Sequence, residues 1–223
     1  MPIPADHPVL TRRPFSHGEL IADGVVHAAA LIAGVIAFAV LFVRVAALGD
    51  LGVGLAMGVY AAGFFLLFGF SCAYNMTPPS TAKWLLRRLD HSSIYLMIAG
   101  TYTAAAAPIA DRALALPLIA AVWAGALAGV GLKLFAPGRW DRLSIVLYLG
   151  LGWTGIVAFR PLMDALPPLT LGLLLAGGIA YSLGVIFYLW RNLKFHNAIW
   201  HALVAFAAAL HYVGIAHALG RVP

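Results

Sequence analysis

The stretch GVVHAAALIAGVIAFAVLFV, residues 24–43, contains no Asp, Glu, Lys or Arg. An α-helix needs roughly 20 apolar residues to cross a hydrocarbon core of about 30 Å. Six further stretches are equally free of these charges: 51–82, 91–110, 113–132, 143–159, 165–190 and 195–220. The pattern predicts an all-α integral membrane protein, a bundle of seven transmembrane helices over residues 19–46, 51–74, 89–110, 113–135, 141–160, 167–191 and 195–218.

The composition supports a membrane protein with one domain. Of the 223 residues, 63% are hydrophobic and 10% are charged, whereas a soluble domain carries about 25% charged residues. The seven stretches fill most of the chain, so we predict one transmembrane domain over residues 19–223 after an N-terminal segment, 1–18. The formal net charge is +6, but the basic residues are spread over short loops, which argues against nucleic acid as a partner.

The basic residues alternate between the two ends of the predicted helices. One side holds Lys and Arg at positions 12, 13, 83, 87, 88, 133, 139, 142, 191 and 194. The other side holds only Arg44, Arg112, Arg160 and Arg221. By the positive-inside rule, the N-terminus is predicted to be cytoplasmic and the C-terminus extracytoplasmic, as an odd number of spans requires.

Polar residues concentrate at the predicted cytoplasmic end of four helices. Ionisable groups inside a bilayer are costly and are functional candidates. Each of the four helices carries several such groups near this end: Glu19, Asp23 and His27; Ser71 and Asn75; Asp90 and His91; His196, Asn197 and His201. Any one of them could be a helix cap or a headgroup contact, but their common depth predicts a functional polar cavity.

The segment FHNAIWH, residues 195–201, places two histidines on the last predicted helix. Two histidines chelate one metal ion from a helix when they lie four residues apart and share a face. His196 and His201 are five apart, so their side chains diverge by about 140°. The residue at the correct offset from His201 is Asn197, which makes this segment a near miss for a metal pair.

These polar stretches resemble the hemolysin III family, the bacterial branch of the progestin and adipoQ receptor superfamily, which includes the adiponectin receptors. The resemblance runs from the first predicted span to the last. It is carried by FSHGELIADGVVH (15–27), FSCAYN (70–75), RRLDHSSIYLMIAGTYT (87–103), GGIAYSLGVIFY (177–188) and HNAIWHALVAFAAALH (196–211). It implies a seven-helix membrane protein with a cytoplasmic N-terminus, in a bacterial cytoplasmic (inner) membrane.

The resemblance also implies a zinc ion near the cytoplasmic face. Three His hold it, one from an SxxxH motif on the second helix and two from an HxxxH motif on the seventh, and an Asp binds a water beside it. Related members are implied to hydrolyse lipid amides such as ceramide. In this sequence Asn75 and Asn197 stand at two of the three His positions, so only His201 and Asp90 remain. Amides are poor zinc ligands.

The resemblance therefore assigns catalytic roles to Ser71, Asp90 and His201, with His201 and Asp90 as the retained metal-site positions. His196, His27 and His91 are candidate stand-ins for the missing ligands. The remaining polar network comprises Glu19, Asp23, His27, Asn75 and Asn197. Because both substitutions fall on ligands of one ion, the zinc site is expected to be lost or rebuilt as a unit.

Three functions stay open at the level of sequence. The first is a metal-dependent membrane hydrolase that acts on a lipid amide or ester. The second is a metal-free regulator that senses membrane lipid or a proton gradient, in which Asn75 and Asn197 replace ligand contacts with hydrogen bonds. A cytolytic pore has little support, because a pore former should be soluble before it inserts. Each of the three takes membrane lipids as its partners.

Overall fold

The structure, a computed structural model, describes residues 15–136 and 140–220, apart from the side chains of residues 141 and 142. The predicted N-terminal segment, 1–18, lies outside this range up to residue 14. A short 3-10 turn, Thr154–Ile156, separates the fifth and sixth helices. The described residues form no strand and eight α-helices: α1 (His17–Leu48), α2 (Leu51–Met76), α3 (Thr81–Ala106), α4 (Arg112–Phe135), α5 (Asp141–Gly152), α6 (Phe159–Ala165), α7 (Pro168–Leu189) and α8 (His196–Leu219).

Five of these helices, α1, α2, α4, α7 and α8, are long and apolar enough to cross a membrane. The bent pair Leu143–Ile156 and Phe159–Ala165 makes a sixth crossing if it is counted as one span. The predicted all-α integral membrane bundle is thereby confirmed. α3 has 26 residues but carries several charged side chains, so the seventh crossing stays a prediction, as does the orientation in the membrane.

The third helix begins eight residues before, and ends four residues before, the predicted 89–110. It begins at Thr81 because the Ser80 hydroxyl accepts the backbone N–H of Lys83, a typical N-cap. It ends at Ala106, two residues before Pro108, which has no backbone N–H to continue the helical hydrogen bonds. The shift places the charged first turns of α3 beside the end of α2.

The predicted fifth helix, 141–160, is wrong as a continuous element, because it bends by 54° between its two segments. Pro161 has no N–H to donate and its ring clashes with the carbonyl four residues earlier, so a regular helix cannot continue through it. The Tyr102 hydroxyl donates to the Gly152 carbonyl at 2.7 Å and accepts the N–H of Gly155 at 2.7 Å. Tyr102 of α3 thus provides hydrogen-bond partners for backbone groups of Gly152 and Gly155 at the break.

Close backbone contact between α2 and α3 depends on two glycines. A Cβ on Gly100 would lie 3.0 Å from the Val59 carbonyl oxygen and 3.2 Å from the Cα of Tyr60. A Cβ on Gly63 would lie 3.1 Å from the Cα of Met97. Small residues let membrane helices approach this closely, and the approach brings the polar ends of α2 and α3 together.

Glu19 joins the beginnings of α1 and α8. Its carboxylate accepts the backbone N–H of Ser16 at 2.9 Å, in a capping box that starts α1. Its other oxygen accepts the backbone N–H of Phe195 at 3.2 Å. Phe195 has φ 62°, an uncommon left-handed conformation for a residue other than glycine, directly before α8. The contact fixes where α8 starts, and hence where Asn197 and His201 point.

Candidate functional site at the polar end of the bundle

The candidate site lies where α1, α3 and α8 begin and α2 ends, which we call the polar end. The structure brings together polar side chains from these four helices, as the common depth of the residues in the sequence predicts. Seven of them are at most 9% exposed: Glu19, Asp23, His27, Ser71, Asn75, Asp90 and His201. Buried polar groups at this density need partners, because an unpaired one costs about 1–3 kcal/mol.

His201 lies between Asp23 and Ser71. Its Nδ1 is 2.5 Å from Asp23 Oδ1, and its Nε2 is 3.1 Å from Ser71 Oγ. Because a carboxylate only accepts hydrogen bonds, Nδ1 carries a proton, and in the neutral imidazole Nε2 then keeps a lone pair toward the serine. The order of carboxylate, imidazole and hydroxyl is that of a serine hydrolase triad, which is recognised by geometry rather than by position in the chain.

Asn75 and Asn197, the two substituted ligand positions, bond to each other. Asn197 Nδ2 donates to Asn75 Oδ1 at 3.1 Å. Asn75 Nδ2 donates in turn to the Ser71 carbonyl at 2.8 Å and to Ser71 Oγ at 3.3 Å. With both amides in hydrogen bonds and His201 Nε2 on Ser71, these three positions do not fit a zinc ion held as the family resemblance implies.

A second set of donors lies one layer away, on α1 and α8. Asp23, His27 and His201 each offer a ligand atom, and these atoms lie within 4.8 Å of one another. His27 Nδ1 donates to the Asp23 carbonyl at 2.8 Å, so Nε2 keeps the lone pair, as in histidines whose other nitrogen is held for metal binding. Among the described residues, His27 Nε2 and Asp23 Oδ2 are buried without a hydrogen-bond partner. Two imidazoles and a carboxylate fit a divalent metal once His201 releases the proton that it donates to Asp23.

Asp90 reaches the same hydroxyl from α3. Its carboxylate and His201 Nε2 are alternative acceptors for the one proton of the Ser71 hydroxyl, and its charge also acts on His201. The two other candidate histidines line the cavity beside this group but take no part in the contacts among Asp23, His201 and Ser71. His91 Nε2 is 3.9 Å from Asp90 Oδ2, and the His196 ring packs against Phe15 with centroids 5.7 Å apart.

A cavity of about 950 Å³ opens against this network. Ser71, Asp90, Asn197 and His201 line it, whereas Asp23 and His27 lie behind its wall. A volume of this size holds a ligand of several hundred Å³. The serine hydroxyl and the histidine therefore face the space that a ligand would fill, and Asp23 contacts that space only through His201.

Lys133 and Ser144 also line the cavity, and the sequence gives only a weak signal for them. Lys133 is 4% exposed in the last turn of α4. A lysine there is expected at a membrane interface, where its long stem carries the charge to water. The direction in which it points depends on how α4 packs against α3, which periodicity does not reveal.

The fold and the site together define an all-helical, multi-pass membrane protein with a buried polar centre at one end of its bundle. The chain belongs to the family described as haemolysin-III related, which matches residues 17–212. This match confirms the resemblance carried by the polar stretches.

Curated relatives span nearly the same length. The chain is 37% identical to Hemolysin-3 of Bacillus cereus over 194 residues, which cover 87% of this chain and 89% of that protein. It is 32% identical to a Hemolysin-3 homolog of Bacillus subtilis (strain 168) over 209 residues, covering 94% and 98%. The human monocyte to macrophage differentiation factor is 28% identical over 179 residues, 74% of this chain and 71% of that protein.

Proposed function

We propose that this chain is a hydrolase of the bacterial cytoplasmic membrane that cleaves an ester or amide bond in a membrane lipid. The observation that carries the proposal is the line of contacts from Asp23 through His201 to Ser71, which ends at the wall of the cavity. The roles assigned to Ser71 and His201 follow from it, and they need no metal ion.

In the proposed reaction, Ser71 Oγ attacks the carbonyl carbon of the lipid and gives its proton to His201 Nε2. The carbonyl π electrons move onto oxygen as the new C–O bond forms. They return as the bond to the leaving alcohol or amine breaks, and His201 passes its proton to that leaving group. Water then attacks the acyl-serine by the same route and releases the acid.

Two carboxylates favour the charged histidine that forms in this step. Asp23 holds Nδ1–H and stabilises the imidazolium. The charge of Asp90 acts on the same ring from the cavity side. Asn197 lines the cavity with a side-chain amide that carries a second N–H, a donor type that stabilises an oxyanion. We assign it this role, which completes the groups that acyl transfer requires.

A serine-directed fluorophosphonate probe tests the proposal on the purified full chain. We expect one equivalent of label, mapped to Ser71 by peptide mass spectrometry and lost in Ser71→Ala. Ser144→Ala is the matched control, because Ser144 is a second serine in the same cavity, and this variant should keep full labelling. Labelling that is absent from the folded wild type, or that persists in Ser71→Ala, would overturn the nucleophile.

The unpartnered atoms His27 Nε2 and Asp23 Oδ2 favour a second candidate, a metal-dependent hydrolase. Here Asp23, His27 and His201 would hold a divalent ion such as zinc, which would supply a hydroxide nucleophile. Inductively coupled plasma mass spectrometry on the purified protein separates the candidates. About one equivalent of zinc, lost in His27→Ala, would support the metal. Less than about a tenth of an equivalent, unchanged in His201→Ala, would exclude it.

A further inference from the structure

The charged side chains of the cavity are unequal in sign. Among the described residues that line it, Lys83, Lys133 and Arg191 are cations and Asp90 is the one carboxylate. The three cations come from separate parts of the fold: Lys83 from the start of α3, Lys133 from the end of α4, and Arg191 from the connection between α7 and α8. Three cations from three segments thus line one cavity, where they can bind an anionic group.

Lys133 is the most deeply buried of the three cations. It is 4% exposed, and a lysine is almost never buried to this degree unless it is paired. Lys83 is held in place by its ammonium, which donates to the carbonyls of Tyr74 at 2.8 Å and Thr77 at 2.7 Å. The Lys83 ammonium is therefore positioned before any ligand arrives, and Lys133 lines the same cavity wall.

Part of the remaining lining is apolar and suits an acyl chain. Phe68, Ile94 and Val204 face the cavity beside Ser71 and His201. In a glycerophospholipid, a phosphate and an acyl ester lie only a few bonds apart. One molecule can thus offer an anion to the cations and an ester to the serine inside a cavity of about 950 Å³.

We infer that the cavity binds the phosphate of an anionic glycerophospholipid at Lys133, Lys83 and Arg191, with an acyl ester of the same lipid at Ser71. Only the placement of the acyl ester at Ser71 rests on the proposed function. The contact of the phosphate with the cations is a binding event and needs no hydrolysis, so experiments can reject either contact without the other.

Spin-labelled lipids provide the test. We would reconstitute the full chain in phosphatidylcholine and measure how strongly spin-labelled phosphatidylglycerol and phosphatidylcholine associate with it. The wild type should prefer phosphatidylglycerol, and Lys133→Gln should reduce that preference about fivefold, the effect expected of one basic residue near an anionic headgroup. Equal association of both lipids with the wild type, or an undiminished preference in Lys133→Gln, would overturn the inference.

Two further variants control for a folding defect and for a change in net charge. Lys133→Arg keeps the charge and should keep the preference. Arg112→Gln removes a charge from the opposite end of the same helix, α4, and should leave the preference unchanged. A loss of preference in Arg112→Gln equal to that in Lys133→Gln would assign the effect to net charge and reject the site.

Two last measurements distinguish a lipid phosphate from a soluble phosphate and test whether lipid binding needs Ser71. If inorganic phosphate protects the wild type against thermal unfolding through Lys133 while the lipid preference is absent, the ligand is a soluble phosphate and the lipid proposal fails. Ser71→Ala should keep the phosphatidylglycerol preference. If it does so while the wild type takes no fluorophosphonate label, the headgroup site stands and the hydrolase proposal falls.

Discussion

The polar end and the break between α5 and α6 both place polar atoms inside the bundle, but they satisfy them differently. At the break, the Tyr102 hydroxyl serves both the Gly152 carbonyl and the Gly155 N–H, and the adjoining cavity is about 120 Å³. At the polar end, His27 Nε2 and Asp23 Oδ2 have no partner among the described residues, beside a cavity of about 950 Å³.

The difference separates a structural use of polarity from a functional one. The break must satisfy backbone groups that a helix would otherwise pair, and one tyrosine completes that task. His211 Nδ1 is likewise unpaired at the small cavity by the break, but the polar end sets two unpaired atoms of adjacent candidate metal-ligand side chains beside a cavity of about 950 Å³, an arrangement that stability alone disfavours. Substitutions at the break should therefore change stability, whereas those at the polar end should change chemistry.

The largest expected effect is on catalysis, from Asp23→Asn. An amide in place of the carboxylate no longer fixes the proton on His201 Nδ1 or stabilises the imidazolium. We expect kcat for lipid ester hydrolysis to fall on the order of 10⁴-fold, with the far-UV circular dichroism spectrum unchanged. Asp50→Asn is the control, because Asp50 only caps α2 and Asn caps equally well. A fall of less than about tenfold in Asp23→Asn would remove Asp23 from the triad.

The second effect is a gain of metal. The double variant Asn75→His with Asn197→His replaces the pair of hydrogen-bonded amides with imidazoles around His201. We expect its zinc content to rise by roughly tenfold or more over the wild type, to about one equivalent. Either single substitution should bind less, since two imidazoles make an incomplete tetrahedral site. A double variant that folds and stays free of zinc would show that the amides are not what excludes the ion there.

Particular residues show which parts of the fold and of the candidate site the sequence predicts. The charge-free stretches predict the helices, and their shared polar depth predicts that α1, α2, α3 and α8 meet at one end. The helical spacing puts Asp23 and His27 on one face, but it cannot show that Asp23 pairs with His201 across the bundle. That contact depends on how α1 packs against α8, and the role of Lys133 depends likewise on how α4 packs.

The break at α5 shows a different limit. Charge-free length predicts one span over 141–160, whereas Gly150, Gly152, Gly155 and Pro161 carry the signal for the bend. Hydropathy measures whether a segment can enter a membrane, and backbone chemistry decides whether it can remain one helix. Here the backbone signal prevails, because Tyr102 compensates the lost hydrogen bonds.

The third effect is on stability, through the packing that brings Ser71 and Asp90 together. Gly100→Ala would push a methyl group against the backbone of Val59 and Tyr60, which cannot move aside as a flexible side chain can. We expect a loss of about 1–3 kcal/mol in the free energy of unfolding, typical of overpacking. Gly131→Ala is the matched control, because its Cβ meets nothing within 4 Å. Equal stability of the two variants would contradict close α2–α3 contact.

The smallest expected effect is on stability, from a substitution at the break between α5 and α6. Tyr102→Phe removes both hydrogen bonds to Gly152 and Gly155 and should cost about 1–2 kcal/mol of unfolding free energy, while Ser71 labelling persists. Tyr181→Phe is the same substitution at a buried hydroxyl with no partner among the described residues. It should be neutral or slightly stabilising in the same thermal and denaturant titrations. If Tyr102→Phe left stability intact but reduced Ser71 labelling, the break would belong to the functional site, and the two regions could no longer be assigned separate roles.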